Sequence, residues 1–225
     1  MIPCTIQDLY TVEQTIAKDL LERYTYPWEV LPHISEFIKE AGKALDKDIF
    51  EEKGENIWIA KDATVAPTSC INGPCIICSG AEIRHCAFIR GNAIVGEGTV
   101  VGNSTELKNV ILFNSVQVPH YNYVGDSILG YKSHMGAGSI TSNVKSDKTL
   151  VVVKADGEEQ FETGLKKFGA MLGDHVEVGC NSVLNPGTVI GQNSNVYPLS
   201  MVRGFVPAHS IYKNKNEVVE KDTVG

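Results

Sequence analysis

A six-residue periodicity is the feature that most constrains how this chain folds. Stepping by six from Ile59 meets an apolar residue at every position as far as Phe113, and a second such run extends from Leu172 to Val202. The residue four places after each apolar position is usually small, and glycine often follows the apolar residue directly. A period of six fits neither an amphipathic helix at 3.6 residues nor the simple alternation of a strand.

Hexads of this kind are typical of a parallel β-helix, so the predicted fold class is an all-β solenoid. Each hexad supplies one short strand and one turn, and three hexads close one triangular coil. The large aliphatic residue points into the prism, while small residues fit the tight corners, where glycine gives the backbone freedom. Each coil contacts only its neighbours, so the fold grows as a stack of coils.

The remaining segments are predicted from where the hexads are lost. Residues 1–52 form an N-terminal helical segment, with one helix begun by a capping box of Thr11 and Gln14 and another running through Ile34, Ile38, Ala41 and Leu45. We expect these helices to cover the first coil, whose open end would expose strand edges. Residues 53–207 form the β-helix domain, and residues 208–225 form a polar tail.

An insert at about 144–169 interrupts the hexads. Thr149–Val153, then Asp156-Gly157, then Phe161 predict a hairpin that leaves the solenoid. Long excursions from a rigid scaffold often carry function, so this insert is a candidate part of the site.

Composition excludes several classes of protein. The 225 residues carry a net charge of −7, which argues against nonspecific nucleic-acid binding. No apolar run reaches the length of a membrane span, and the N-terminus lacks the pattern of a signal peptide, so a cytoplasmic protein without a membrane partner is expected. The six cysteines are expected to be reduced core residues rather than disulfides, and Cys75-x-x-Cys78 has no second pair to complete a zinc site.

Between 113 and 144 the hexads slip, and polar residues that suggest chemistry concentrate there, with Arg90 and Lys108 upstream. Arg90 and Lys108 are 18 residues apart, which is one full coil, so the two cations should stack on adjacent coils. Stacked cations on an acidic protein suggest an anion site, although a solvated surface pair would give the same spacing. His120 is a candidate general base, or else a histidine packed on the outside of the solenoid.

Two stretches make the resemblance specific: His120-Tyr-Asn-Tyr-Val-Gly-Asp126 and Gly136-Ala-Gly-Ser-Ile-Thr-Ser-Asn143. They resemble the acetyltransferase domain of bifunctional N-acetylglucosamine-1-phosphate uridyltransferases and of the related sugar-1-phosphate nucleotidylyltransferases with an acetyltransferase domain. The insert, with Gly164-Leu-Lys-Lys-Phe-Gly169, is more similar to the second group. The resemblance covers roughly residues 85–205.

The resemblance implies a left-handed β-helix that works as a homotrimer, with sites between subunits and no metal requirement. It implies transfer of the acetyl group of acetyl-CoA to the amine of glucosamine 1-phosphate, a step of nucleotide-sugar biosynthesis towards UDP-N-acetylglucosamine. The family's catalytic histidine falls on His120. Its substrate-binding residues fall on Arg90, Lys108, Tyr123, Asn143 and, approximately, Lys148. The backbone amide that polarises the thioester carbonyl falls on Ala137.

Further cofactor contacts are predicted at Lys166 and Lys167 in the insert and at Cys180 and Pro198 in the second hexad run. The sequence also departs from the family, because His134 stands in place of a second substrate asparagine and Val144 in place of a tyrosine. Residues 1–52 do not match the family's nucleotidyltransferase domain, so uridyl transfer is not expected.

Two alternatives remain open at the level of sequence. A zinc carbonic anhydrase is built on the same solenoid, but the histidines at 33, 85, 120, 134, 175 and 209 include no pair five residues apart. A non-catalytic hexapeptide-repeat subunit is the other alternative, since the changes at 134 and 144 could mark lost chemistry.

Overall fold

The computed structural model describes residues 3–154 and 160–221. Between residues 57 and 214, and apart from the insert, the chain forms a left-handed parallel β-helix of about eight turns, as the hexads and the resemblance predicted. Each turn has three flat faces joined by three corners, and strands from successive turns pair in register.

The strands of each face come from successive turns. The first face comprises β3 Thr64–Val65, β6 Glu82–Ile83, β9 Val100–Asn103, β11 Gln117–His120, β13 His134–Met135, β18 Glu177–Val178, β21 Asn195–Val196 and β24 Ser210–Asn214. The second face comprises β4 Cys70–Ile71, β7 Phe88–Ile89, the first halves of β10 Glu106–Leu112 and β12 Tyr123–Leu129, then β14 Ile140–Thr141, β19 Val183–Leu184 and β22 Met201–Val202. The third face comprises β2 Ile57–Ala60, β5 Cys75–Ile77, β8 Ala93–Val95, the second halves of β10 and β12, β17 Ala170–Leu172, β20 Thr188–Ile190 and β23 Phe205–Val206.

Antiparallel hairpins stand at both ends of the solenoid. β1 Phe50–Gly54 pairs with β2, and β25 Glu217–Glu220 pairs with β24. Because β24 also pairs with β21, the first face continues beyond residue 207 into the segment predicted as a polar tail.

The hexad residues form the interior, with one correction to the predicted sequence of core positions. Phe113 was expected at a core position, but the ladder of the third face runs from Val95 to Leu112 and then to Leu129. The corner between the second and third faces contains a single left-handed residue here, Asn109 with φ 55°. The core positions Leu107 and Leu112 on either side of it are therefore five residues apart instead of six. Phe113 is buried nonetheless, and its ring packs 5.1 Å from that of Tyr10.

The small residues of the hexads also satisfy the backbone at the corners. Buried hydroxyls of Thr99, Thr105 and Thr188 donate to corner carbonyl oxygens at 2.7–3.0 Å. A buried carbonyl without a partner would be costly, so a hydroxyl at this position stabilises the turn as well as fitting it.

The third face is apolar on its outer side as well as its inner side. Its outward residues Ile76, Ile94, Ile111, Ile128 and Met171 are fully buried. The N-terminal segment covers them, since its longest helix packs against β5, β8 and β10. The segment consists of α1 Ile6–Leu9, a 3-10 helix Val12–Gln14, α2 Lys18–Leu21, a 3-10 helix Pro27–His33 and α3 Ile34–Ala44.

The N-terminal segment confirms one helix prediction and corrects two others. α3 follows the predicted pattern, with Ile34 and Ile38 buried. The Thr11 side chain makes no capping hydrogen bond, and the capping box lies instead at Thr5 and Asp8. The segment also runs along the third face instead of only covering the first turn, because that face offers it a continuous apolar surface.

A buried carboxylate joins the N-terminal segment to the solenoid. Asp174 is 2% exposed and accepts hydrogen bonds from the backbone amides of Thr11 at 2.7 Å and Tyr131 at 2.8 Å. Its own amide donates to the carbonyl oxygen of Leu9 at 2.9 Å.

The insert contains the predicted hairpin. β15 Val152–Lys154 pairs antiparallel with β16 Gln160–Glu162, while the expected turn at Asp156-Gly157 lies outside the described residues. The Phe161 ring packs 5.2 Å from Tyr26 and 6.0 Å from Trp28, so the insert rests on the N-terminal segment. Within the described residues, no helix is long and apolar enough to cross a membrane.

The cysteines only partly match the expectation of core residues. Cys4, Cys75 and Cys78 are buried, whereas Cys70, Cys86 and Cys180 are exposed. Burial raises the pKa of Cys75 and of Cys78 to about 12, so these two thiols are protonated at neutral pH.

We predict that Asp174→Ala will lower the free energy of unfolding by at least about 1.5–3 kcal/mol, because it leaves two amides without their charged acceptor. Urea denaturation followed by tryptophan fluorescence measures the change. Asp19→Ala removes an exposed carboxylate of the same segment and should have little effect. Equal destabilisation by both variants would contradict the role assigned to Asp174.

Candidate functional site

Four predicted site residues lie in one row along the first corner, which joins the first and second faces. Amides of Gly138, Asn181 and Leu199 donate to the carbonyl oxygens of His120, Ala137 and Cys180, at 3.0, 2.9 and 2.9 Å. The register of β18 with β21 continues the row to Pro198. The catalytic candidate and three of the cofactor candidates therefore follow one another on successive turns, and we call them the His120 row: His120, Ala137, Cys180 and Pro198.

The backbone around His120 is fixed while its side chain is exposed. His120 ends β11, and its amide donates to Asn122 Oδ1 at 3.1 Å. The buried Asn122 side chain in turn donates to the carbonyl oxygens of Gly136 at 2.9 Å and Ser139 at 3.0 Å. The imidazole makes no hydrogen bond or ion pair with another residue in 3–154 or 160–221, so its nitrogens are available to a ligand.

Ala137 presents an amide of the kind that can stabilise an oxyanion. It lies one turn from His120, and its N–H donates to no other described residue. The turn is held close to its neighbour at Gly136, where an added Cβ would lie 2.7 Å from the Cys180 nitrogen. An N–H fixed in this way does not have to reorganise as charge develops on a nearby oxygen.

The predicted stacking of Arg90 and Lys108 is confirmed. They follow Ile89 and Leu107, which pair in register, and they meet at the second corner, which joins the second and third faces. Both cations are bound to carboxylates of the same chain. Arg90 Nη1 lies 2.7 Å from Glu106 Oε1, and Lys108 Nζ lies 3.2 Å from an Asp126 carboxylate oxygen.

Asp126 organises this corner. Its side chain is 5% exposed and its backbone is left-handed, with φ 48°. Besides Lys108, its carboxylate accepts from Asn109 Nδ2 at 3.0 Å and from Asn143 Nδ2 at 2.5 Å. Three donors on one buried carboxylate fix the side chains of Lys108 and Asn143 before any ligand arrives.

Tyr123 lies between the two edges of the second face. Its hydroxyl accepts from Asn143 Nδ2 at 3.2 Å, and its ring covers Gly125, where a Cβ would lie 2.5 Å from that oxygen. Burial first, and then the negative charges of Asp126 and Glu106, raise the pKa of Tyr123. The hydroxyl is therefore protonated at neutral pH and can donate to a ligand.

Together these groups span the second face across one turn. Glu106 and Tyr123 pair in register and alternate with buried Leu107 and Val124, so their side chains lie on the outer surface. His120 stands at one edge of this surface and the Lys108–Asp126 pair at the other. The geometry suits a small polar ligand with a proton to lose at one end and an anionic group at the other.

The structure does not bring every predicted residue to this surface. His134 lies on the first face, with Nδ1 2.8 Å from Glu177 Oε2. Lys148 is exposed within the insert. Lys166 and Lys167 precede Phe168, whose amide donates to the Asn143 carbonyl at 3.0 Å, so these lysines approach the second corner and not the His120 row.

Sequence reasoning missed Glu106 and Asp126 as members of the site. The signal was present for Asp126, because it follows Lys108 by 18 residues, the same spacing that paired Lys108 with Arg90. Glu106 stands two residues before Lys108, so both face the same side of one strand.

A metal centre was the other chemistry considered. Within residues 3–154 and 160–221, no group of three His, Cys, Asp or Glu side chains is arranged to hold a metal ion.

Sequence comparison finds bifunctional relatives. The chain is 34% identical over 196 residues to a bifunctional protein GlmU of Methanococcus maripaludis, covering 86% of this chain and 47% of that protein. It is 32% identical over 127 residues to a bifunctional sugar-1-phosphate nucleotidylyltransferase/acetyltransferase of Sulfurisphaera tokodaii, covering 56% of this chain and 31% of that protein. The chain therefore spans about half the length of the first relative and about a third of the length of the second.

Among solved structures, the polySia specific acetyltransferase NeuO is similar over 75% of this chain and 88% of its own, with 11% identity and a TM-score of 0.45.

A match to a protein family covers the region that carries the candidate site. Residues 71–192, more than half of the chain, match the family described as the GMPPB C-terminal domain. The chain belongs to the GMPPB C-terminal domain family.

Proposed function

We propose that the protein is an acetyl-CoA-dependent N-acetyltransferase that acts on an amino-sugar 1-phosphate resembling glucosamine 1-phosphate. The observation that carries the proposal is the His120 row, in which an exposed imidazole, an unpaired amide and two exposed cofactor candidates lie on successive turns. The names of the bifunctional relatives, one of which includes acetyltransferase, agree with this activity.

The mechanism is direct transfer without a covalent enzyme intermediate. The neutral His120 imidazole accepts a proton from the sugar ammonium, and the free amine attacks the thioester carbonyl carbon. The Ala137 N–H donates to the oxygen that becomes negative. As the carbon–sulfur bond breaks, the protonated His120 gives its proton to the sulfur, so coenzyme A leaves as a thiol, and the nitrogen of the new amide loses its second proton to solvent.

The second corner is the proposed anion site. The Asp126 carboxylate keeps Lys108 and Asn143 in place, and Tyr123 supplies a protonated hydroxyl. Arg90 is exposed beside them, and among the described residues its one ion-pair partner is Glu106 at the surface. When a phosphate binds, Arg90 would therefore exchange the solvent-screened Glu106 carboxylate for a doubly charged partner.

One observation favours the non-catalytic alternative. Both cations of the predicted anion site already have carboxylate partners, so the corner is not strongly positive as it stands. Activity and ligand binding separate the two functions, because a scaffold subunit would neither release thiol nor depend on His120.

The proposed assembly is a homotrimer with active sites between subunits. Large apolar side chains are exposed beside the His120 row, namely Tyr121 at 64%, Leu199 at 80% and Met201 at 57%. An exposed apolar patch of this kind commonly marks an interface. A neighbouring copy seated there would cover the His120 row and complete the site between subunits.

We predict that His120→Ala will lower kcat by about 10²–10⁴ with little change in KM, because the general base is lost. Thiol release is followed with acetyl-CoA and a panel of amino-sugar phosphates. His209→Ala, which removes an exposed histidine outside the site, is the matched control and should keep wild-type kcat. An unchanged rate in His120→Ala would remove this residue from the mechanism.

We predict that Arg90→Ala will raise the KM for the sugar phosphate by roughly 10- to 100-fold, the effect of one lost charge-assisted hydrogen bond, and leave the KM for acetyl-CoA unchanged. Arg84→Ala is the control, since Arg84 also pairs with a surface glutamate but lies outside the site. If Arg90→Ala weakens acetyl-CoA instead, the anion site serves the cofactor.

We predict a solution mass of three chains by light scattering, and a shift towards one chain in Leu199→Glu, because a carboxylate would have to be buried in the interface. Val218→Glu changes an exposed residue of the C-terminal hairpin, 43% exposed, and should leave the mass unchanged. A wild-type mass of one chain at micromolar concentration would exclude the trimer.

A further inference from the structure

A cavity of about 820 Å³ lies between the insert and the last turns of the solenoid. Its size falls within the range of small-molecule sites in proteins. We call it the insert pocket; its lining includes Ser142, Lys145, Lys154, Asn185, Arg203 and Phe205.

The described lining of the insert pocket carries more cations than carboxylates, although the chain as a whole is acidic. Among the described lining residues, Lys145, Lys154 and Arg203 are cations, against one carboxylate, Asp147, which lies 3.6 Å from Lys145 Nζ. Lys154 and Arg203 are exposed and form no ion pair with residues in 3–154 or 160–221. They differ in this from Arg90 and Lys108, so an anion can bind them without displacing a described carboxylate.

The insert pocket lies on the same second corner as the proposed anion site, several turns further along the solenoid. Lys108 pairs with Gly125, and the register leads on through Ser142 and Asn185 to Arg203 on the following turns. The Ser142 amide donates to the Leu184 carbonyl oxygen at 2.8 Å, and the Asn185 amide donates to the Val202 carbonyl oxygen at 3.0 Å. Each acceptor stands directly before the next residue of the row. Strand spacing of about 4.8 Å puts the Lys108 and Arg203 backbones roughly 19 Å apart.

The entrance adjoins the proposed sugar site directly. Ser142 and Val144 line the pocket, and the residue between them is Asn143, whose side chain binds Asp126 and Tyr123. A ligand held at Asn143 can therefore extend into the pocket without crossing the solenoid.

We propose that the insert pocket binds the nucleoside diphosphate portion of a nucleotide-linked amino sugar, which makes the acceptor a nucleotide sugar and not only a sugar 1-phosphate. This inference rests on the proposed function and names its substrate class. Arg203 and the two lysines match the charge of a diphosphate, and arginine can bind its oxygens in pairs. Phe205 and Pro186 also line the pocket and give it apolar surface for the base.

Nucleotide binding is tested first, by calorimetry on the full chain saturated with coenzyme A, so that the proposed cofactor site at the His120 row is occupied. GDP, UDP and inorganic pyrophosphate are the probes. We expect a nucleoside diphosphate to bind more tightly than pyrophosphate, and Arg203→Ala and Lys154→Ala each to weaken it roughly 10- to 100-fold. Arg23→Ala, an exposed arginine of the N-terminal segment, is the matched control and should bind as wild type.

Three results of the binding test would overturn the proposal. They are no nucleoside diphosphate binding at millimolar concentration, equal binding of pyrophosphate, and loss of acetyl-CoA affinity in Arg203→Ala with nucleotide affinity kept. The last result would assign the pocket to the phosphates of coenzyme A.

Activity distinguishes failure of this inference from failure of the proposed function. If the proposal holds, kcat/KM for a nucleotide-linked amino sugar exceeds that for the free sugar 1-phosphate, and Arg203→Ala removes the difference. Thiol release with the sugar 1-phosphate at equal or higher efficiency keeps the proposed function and overturns the nucleotide-sugar acceptor. No release with any amino sugar, together with Arg203-dependent nucleotide binding, overturns the transferase function and the acceptor role alike.

Discussion

The fixed register between successive turns is the constraint on which the rest of the structure depends. Each turn hydrogen-bonds to the next through parallel strands, so residues at one corner form a row along the solenoid. His120 and Ala137 are brought together in this way by the backbone ladder and not by their side chains. Chemistry on such a fold requires only suitable residues one turn apart, since the backbone ladder supplies the alignment.

The site arises where the repeat becomes irregular. At Asn109 and Asp126 a single left-handed residue forms the corner, so one residue fewer separates the core positions than in a full hexad. The shorter corner leaves the Asp126 carboxylate almost fully buried, and a buried charge must be paired. Lys108 and Asn143 supply the partners, so the irregularity that weakens the hexad pattern also orders the polar surface beside it.

The repeat made the solenoid, its faces and most corner neighbours predictable from sequence. Contacts that depend on how separate segments meet were not predictable in this way. The pattern at Thr11 suggested a capping box, but its amide binds Asp174, and a tertiary contact outweighed the local preference. Phe113 fitted the hexad count, but Leu112 takes the core position because the corner is short. The insert hairpin was predictable, whereas the cavity beneath it depends on Arg203, far away in the sequence.

The distribution of charge bears on the proposed binding of anionic ligands to an acidic chain. With a net charge of −7 the overall field repels phosphates, so binding must rely on local cations. At the acceptor corner those cations are held by Glu106 and Asp126, which orders them but reduces the charge they present. Arg203 and Lys154 lie on the same side of the solenoid and have no carboxylate partner among the described residues. Paired cations give geometry and unpaired cations give attraction, so in the function proposed here the second corner would orient one end of the ligand while the insert pocket attracts the other.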